Sequence, residues 1–215
     1  MRRLPVYVLL DTSGSMRGEP IESLRSGMSM LLSTLRRDPH SLESVHLCII
    51  SFDKEVKVLL PLTPIGDLSD LPEIVAPDSG PTHMGKALRC LYNQINEDNK
   101  GRESKQKDWR PNLFIMTDGG PSDLQEFKQM TQKIKRVNFA VRIGLEAGPK
   151  AKKGFLKEVV GGEENVHSLE EMSSGKLEAF FQWVSNSINV SHKSLSSTSD
   201  VILPPPPPEE DPVAF

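Results

Sequence analysis

Residues 4–10, Leu-Pro-Val-Tyr-Val-Leu-Leu, are almost uniformly apolar and run directly into Asp11-Thr12-Ser13-Gly14-Ser15. A strand with one wet face alternates apolar and polar residues. An unbroken apolar run of this length instead reads as a strand covered on both faces, as in a parallel sheet between two layers of helices. In open sheets of that kind, ligands bind just beyond the carboxyl ends of the strands. One carboxylate and two hydroxyls, at alternate positions, therefore arrive where such a fold places its chemistry. The donors are all oxygen, the set is nearly neutral, and ligand places stay open, which suits a small hard cation. Asp11 and Ser13 are equally good turn and helix-capping residues, so these five positions alone leave both readings open.

Two further segments narrow the choice. Asp78-Ser79-Gly80-Pro81-Thr82-His83-Met84-Gly85 is a Gly- and Pro-containing loop leading into a helical pattern. Leu113-Phe114-Ile115-Met116-Thr117-Asp118-Gly119-Gly120 is a second apolar run that ends in an acid followed by glycines. Taken in order, Asp-x-Ser-x-Ser, a loop Thr and strand-Thr-Asp-Gly resemble the metal-ion-dependent adhesion site of von Willebrand factor A domains, across residues 4–190. The stretch from Arg3 to Glu22, with Leu35-Arg36-Arg37-Asp38-Pro39 and Asp108-Trp109-Arg110-Pro111, resembles one bacterial branch, the TerY-type proteins encoded with tellurium-resistance genes.

The resemblance implies a ligand set. Ser13, Ser15 and Thr82 would bind the metal through their hydroxyls, and Asp11 and Asp118 would act through water. It also implies a coordination place left for an acidic side chain of a partner. Three neutral hydroxyls leave much of the charge on Mg²⁺ uncompensated, and the ion takes six oxygens at about 2.1 Å. Mg²⁺ is the expected ion and Mn²⁺ an alternative. Two departures from the pattern stand out: Gly120-Pro121-Ser122-Asp123 follows Asp118 where relatives carry an acid sooner, and His83 directly follows Thr82. The rim of the site is expected to include Met16, Arg17, Gly18, His83 and Gly120.

At 215 residues with 37% hydrophobic content, the chain can bury one sizeable core. The expected division is a domain over residues 1–190 and a disordered tail over residues 191–215. That tail is Ser- and Thr-rich, then carries Pro204–Pro208 and Glu209-Glu210-Asp211. A net charge of −3 gives no reason to expect nucleic acid as a partner. No apolar stretch approaches the ~20 residues of a membrane span, and the short apolar run at the start leads into acidic residues, unlike a secretory signal. A cytoplasmic protein is expected, in which Cys48 and Cys90 are reduced core residues and the sequon at Asn189 carries no glycan.

The elements alternate. Strands are expected at residues 4–10, 45–52, 55–60, 112–117, 137–143 and 166–167, the third antiparallel to the second. Helices are expected at residues 20–36, 84–95, 122–135, 150–160 and 176–190, with Ser122 capping the third and Gly161-Gly162 stopping the fourth. This order predicts a doubly wound α/β fold whose mostly parallel central sheet has one antiparallel edge strand and helices on both faces. Residues 96–111 read as a charged, irregular insert, either a solvated excursion or a docking surface.

One motif imitates another class. Residues 80–87 fit the nucleotide-binding pattern G-x-x-x-x-G-K, but Ala87 stands where a hydroxyl should hold Mg²⁺, and no strand delivers the loop. Asp11 as a phosphoryl-accepting nucleophile lacks a second acid two residues on, because Ser13 is there. The expectation is a non-enzymatic, Mg²⁺-dependent protein-binding module of a tellurium-resistance or stress-response system. Its partner would be an operon-encoded kinase-like protein or phosphatase. The alternative is a Mg²⁺-dependent phosphohydrolase or nucleotide binder using Asp11 and Lys86.

Overall fold

The structure, a computed structural model, describes residues 2–77, 80–100, 108–147, 154–169, 174–195 and 205–206. Its elements are β1 (Leu4–Asp11), α1 (Glu19–Arg37), α2 (Pro39–Ser44), β2 (Val45–Phe52), β3 (Val56–Pro64), α3 (Met84–Asn99), β4 (Asn112–Thr117), α4 (Leu124–Ile134), β5 (Val141–Ala147), α5 (Leu156–Val160), β6 (Val166–Leu169) and α6 (Ser174–Leu195). The strands form a single six-stranded sheet in the order β3-β2-β1-β4-β5-β6. All neighbours are parallel except β2 and β3, so the antiparallel strand is at an edge, as the sequence pattern predicts.

Every residue of β1 is buried, because helices cover both of its faces. Leu4, Val6, Val8 and Leu10 join a core with Leu24, Met28 and Leu31 of α1 and with Phe181, Val184 and Ile188 of α6. Tyr7 and Leu9 point the other way, into a core with Leu88 and Leu91 of α3, Phe127 and Met130 of α4, and Leu156 of α5. The central position of β1 thus explains its unbroken apolar run: period-two alternation has no polar side to report.

Several boundaries differ from expectation. β3 runs through Pro61 to Pro64, which an edge strand tolerates because its outer amides need no ladder partner. β5 begins at Val141 rather than 137. Residues 137–140 instead form a turn, with the Phe139 N–H bonded to the Val137 carbonyl and the Ala140 N–H to the Pro111 carbonyl. Val137 and Phe139 still pack on the core, so hydropathy alone made the strand look longer. α6 reaches Leu195, five residues past the expected end, and residues 150–153 of the fourth expected helix lie outside the described residues. α5 stops where expected, at Gly161 in the left-handed conformation (φ 98°).

The flanks of the charged insert are anchored. α3 continues to Asn99, and residues 101–107 lie outside the described residues. At the far side Asp108 grips the Arg3 guanidinium, at 3.0 Å from Nε and 2.6 Å from Nη2, and the Trp109 N–H donates to the Arg3 carbonyl. Asp98 accepts from the Tyr7 hydroxyl at 2.8 Å, and Arg2 stacks over the Trp109 ring. This lattice closes the amino-terminal end of the sheet, opposite the loops that carry Asp11 and Asp118. Cys48 and Cys90 are free thiols, as expected, and burial raises the pKa of both.

α3 and α4 meet at Gly85. A methyl group there would lie 2.4 Å from the Phe127 backbone nitrogen, a contact no side-chain rotation can relieve. Gly85→Ala is expected to cost about 1–3 kcal/mol in denaturant unfolding, as overpacking does. Gly175→Ala, with open space around it, should be close to neutral.

Candidate metal centre

β1 ends at Asp11 and β4 at Thr117, and these adjacent strands are where the strand order reverses, with β2 and β3 on one side and β5 and β6 on the other. Loops leaving two such strands diverge and leave a crevice between them, the usual ligand site of open α/β sheets.

Asp11 is wholly buried at the end of β1. Its Oδ1 accepts the Ser13 N–H at 2.8 Å and its Oδ2 accepts the Thr117 hydroxyl at 2.5 Å, a bond that ties the ends of β1 and β4 together. Burial pushes the Asp11 carboxyl up to about 6, against the hydrogen bonds from Thr117 and Ser13, and the nearby Asp118 charge adds to the rise. After Asp11 the chain makes one 3-10 turn over Gly14–Met16, which brings the Ser13 and Ser15 hydroxyl oxygens to 3.1 Å. Ser13 is buried and Ser15 exposed. Met16, expected on the rim, is instead fully buried and anchors this turn to the core. Arg17 and Gly18 are exposed beside it, as expected.

Thr82 is presented by a separate loop. Its N–H donates to the Ser122 hydroxyl at 3.2 Å, and its carbonyl accepts the Ser122 N–H at 2.8 Å. A Cβ at Gly119 would lie 3.5 Å from the Thr82 hydroxyl, at ordinary contact distance, which places that hydroxyl beside the residue after Asp118. Asp118 is 7% exposed, and its Oδ1 is buried without a hydrogen-bond partner among the described residues.

The sequence thus named Asp11, Ser13, Ser15, Thr82 and Asp118, and the fold brings their three loops to one crevice. It missed the residues that hold them. Thr117 stood in plain view before Asp118, but its bond to Asp11 depends on β1 and β4 being neighbours. Ser122, expected to cap α4, serves the Thr82 loop instead, and α4 starts at Leu124 with no side-chain cap. Asp123 closes the first turn of α3 by accepting the Gly85 and Lys86 N–H groups at 3.0 and 2.9 Å. The acid that departs from the family pattern is therefore a clamp between α3 and α4. His83, the other departure, is directed away: its Nδ1 is 2.9 Å from the Lys54 carbonyl oxygen.

The donor set fits a hard divalent cation. It combines two buried carboxylates with three hydroxyls, and a buried carboxylate oxygen without a partner is the kind of group a cation or its water satisfies. Among the described residues no group of three or more His, Cys, Asp or Glu side chains is placed to hold a metal, so the soft-ligand centres of zinc and copper proteins have no counterpart there.

A family model for the von Willebrand factor type A domain matches residues 6–190. The chain belongs to this family. Structures similar to it include a von Willebrand factor type A protein from Catenulispora acidiphila, 13% identical with a TM-score of 0.64, over 88% of this chain and 43% of that one. Another is proximal thread matrix protein 1 of the mussel byssus with a zinc-occupied MIDAS motif, 13% identical with a TM-score of 0.58, over 86% of this chain and 46% of that one. An uncharacterized protein of Synechocystis is 28% identical over 122 residues, 55% of this chain and 26% of its own length. The chain thus spans less than half of each of these proteins, and the structural likeness is one of fold.

Two predictions follow from the site of this von Willebrand factor A domain. The rise of the Asp11 pKa from 3.8 to about 6 corresponds to about 3 kcal/mol against its ionised form in the metal-free protein. That penalty is complete above pH 6 and vanishes below pH 4, where the group is protonated in both folded and unfolded chains. Asp11→Asn keeps the shape, and the Thr117 hydroxyl can turn to the Gly119 carbonyl, 3.1 Å away. In EDTA at pH 7.5 Asp11→Asn should unfold at higher denaturant than wild type, and the difference should close toward pH 4. Ser122→Ala should lower divalent-cation affinity by about tenfold in calorimetry, as loss of a residue supporting a ligand does, without removing a ligand.

Proposed function

We propose that this domain is a Mg²⁺-dependent protein-binding module. Asp11, Ser13, Ser15, Thr82 and Asp118 hold the ion, and Mn²⁺ can replace it. A bound ion would supply a positively charged coordination place for a Glu or Asp of a partner. The observation that carries this reading is the buried Asp118 Oδ1, without a hydrogen-bond partner among the described residues, beside the crevice that gathers the Ser13, Ser15 and Thr82 loops. The zinc-occupied motif of the mussel protein supports a divalent ion at the corresponding place, and domains of this family are generally interaction modules.

The TerY-type resemblance extends the proposal to setting. The partner would be a kinase-like protein or a phosphatase encoded nearby, in a cytoplasmic tellurium-resistance or stress-response system. Among the described residues no helix is long and apolar enough to cross a membrane.

The nucleotide-binding and phosphohydrolase alternative meets two obstacles. The α3 amides that would cradle a phosphate are already bonded to the Asp123 carboxylate, and Pro81 contributes no N–H. The Lys86 ammonium is 3.1 Å from Nδ1 of the His83 ring, so that ring and not Asp11 is its partner.

The test is capture of the neighbouring kinase-like protein and phosphatase by immobilised wild-type and Thr82→Ala chains, in Mg²⁺ and in EDTA. Retention by wild type in Mg²⁺ alone is expected. Equal retention under every condition would overturn the reading.

A further inference from the structure

Asp53 follows β2, the neighbour of β1 on the side away from β4. Thr12, a buried residue, extends the β1–β2 ladder by one step, its N–H donating to the Phe52 carbonyl at 2.9 Å. That step sets Thr12 against Asp53, whose Oδ2 accepts the Thr12 hydroxyl at 3.2 Å. The Asp53 carbonyl in turn accepts the His83 N–H at 3.0 Å. Gly80, just before Thr82, packs on the same turn, since a Cβ there would lie 3.6 Å from the Lys54 nitrogen and 3.9 Å from the Asp53 Cβ. Glu55 braces Asp53 itself: the Asp53 Oδ1 accepts the Glu55 N–H at 2.7 Å, and the Asp53 N–H donates to the Glu55 carbonyl at 2.9 Å.

Thr12 lies between Asp11 and Ser13, and His83 follows Thr82. One residue is therefore bonded to the chain neighbours of ligands in two of the three loops at the crevice. Ser122 holds the Thr82 loop from the β4 side, and Asp53 holds it from the β2 side. We propose that Asp53 is a positioning residue of the metal centre: it fixes the spacing between the Ser13 and Ser15 hydroxyls and the Thr82 hydroxyl, and through that spacing the preference for Mg²⁺ over Ca²⁺. The inference rests on the reading that these hydroxyls hold the ion.

The Asp53 side chain takes one donor from its own turn and one from Thr12, on separate oxygens. Asparagine can serve both, its oxygen accepting the Glu55 N–H and its amide donating to the Thr12 hydroxyl oxygen, whereas alanine serves neither. The asparagine variant thus separates geometry from charge. The two act differently on the two ions. Mg²⁺ demands near-ideal octahedral geometry at about 2.1 Å, while Ca²⁺ takes about six to eight oxygens flexibly at about 2.4 Å. Loosened loops penalise Mg²⁺ more than Ca²⁺, and a lost charge weakens two equally charged ions alike.

The test is calorimetric titration of the full chain with Mg²⁺ and, separately, with Ca²⁺, under conditions where denaturant unfolding in EDTA shows each variant to be folded. Asp53→Ala should lower Mg²⁺ affinity about tenfold, as loss of a residue supporting a ligand does, and Ca²⁺ affinity by less. Thr12→Val removes the hydroxyl while keeping the buried shape, and should shift the preference in the same direction. Asp53→Asn should keep the wild-type preference for Mg²⁺. Unchanged affinities in Asp53→Ala, or an equal loss for the two ions, would overturn the proposal and leave the metal reading standing. A wild-type chain that binds neither ion would overturn both.

Discussion

Two carboxylates end neighbouring strands in this fold, and both are removed from water. Asp11 is wholly buried and Asp118 nearly so, and the charge of Asp118 adds to the cost of ionising Asp11. Hydrogen bonds from Thr117 and Ser13 offset part of this cost but leave Asp11 titrating near 6. Much of the surrounding structure holds that pair in place. β1 and β4 bring the acids together, Ser122 fixes the Thr82 loop above them, and the Asp123 carboxylate locks α3 to α4 beneath that loop. Burial of the Asp11 carboxylate at the switch point, with a smaller addition from the Asp118 charge, stores electrostatic free energy. A cation releases it, and so couples metal affinity to stability.

The division between the two ends of the sheet follows from the same economy of contacts. At the amino-terminal end, Arg3, Asp108, Tyr7 and Asp98 form a closed set in which each charge and hydroxyl has a partner. At the carboxyl-terminal end an Asp118 oxygen is left without one. A carboxylate oxygen in that position, at the mouth of the crevice, is one that a cation or its water can satisfy. Asp108 and Trp109 therefore serve architecture here, through the grip of Asp108 on the Arg3 side chain and of Trp109 on its backbone.

The legible parts of the sequence were those in which one physical demand dominates. β1, β2 and β4 read correctly because a strand covered on both faces must be apolar throughout, and Asp11 and Asp118 stand out as acids ending such strands. Thr82 was legible only through the family resemblance, since Gly80 and Pro81 before a helical pattern mark a loop and not a ligand. What could not be read depends on contacts across the chain. Ser122 looks like a cap to its own helix and in fact bonds Thr82, 40 residues earlier. Met16 looked like a rim residue because the turn it anchors cannot be traced from composition. Phe139 mimics a strand residue since a buried turn and a buried strand share hydropathy.

The central claim, that the Asp11–Asp118 crevice holds a divalent cation, is tested most directly by titrating the full chain with Mn²⁺ and following free ion by electron paramagnetic resonance. The account predicts one bound ion per wild-type chain, displaced by excess Mg²⁺ and absent in Asp118→Ala. Wild type and Asp118→Ala binding Mn²⁺ alike, or neither binding it, would contradict the claim.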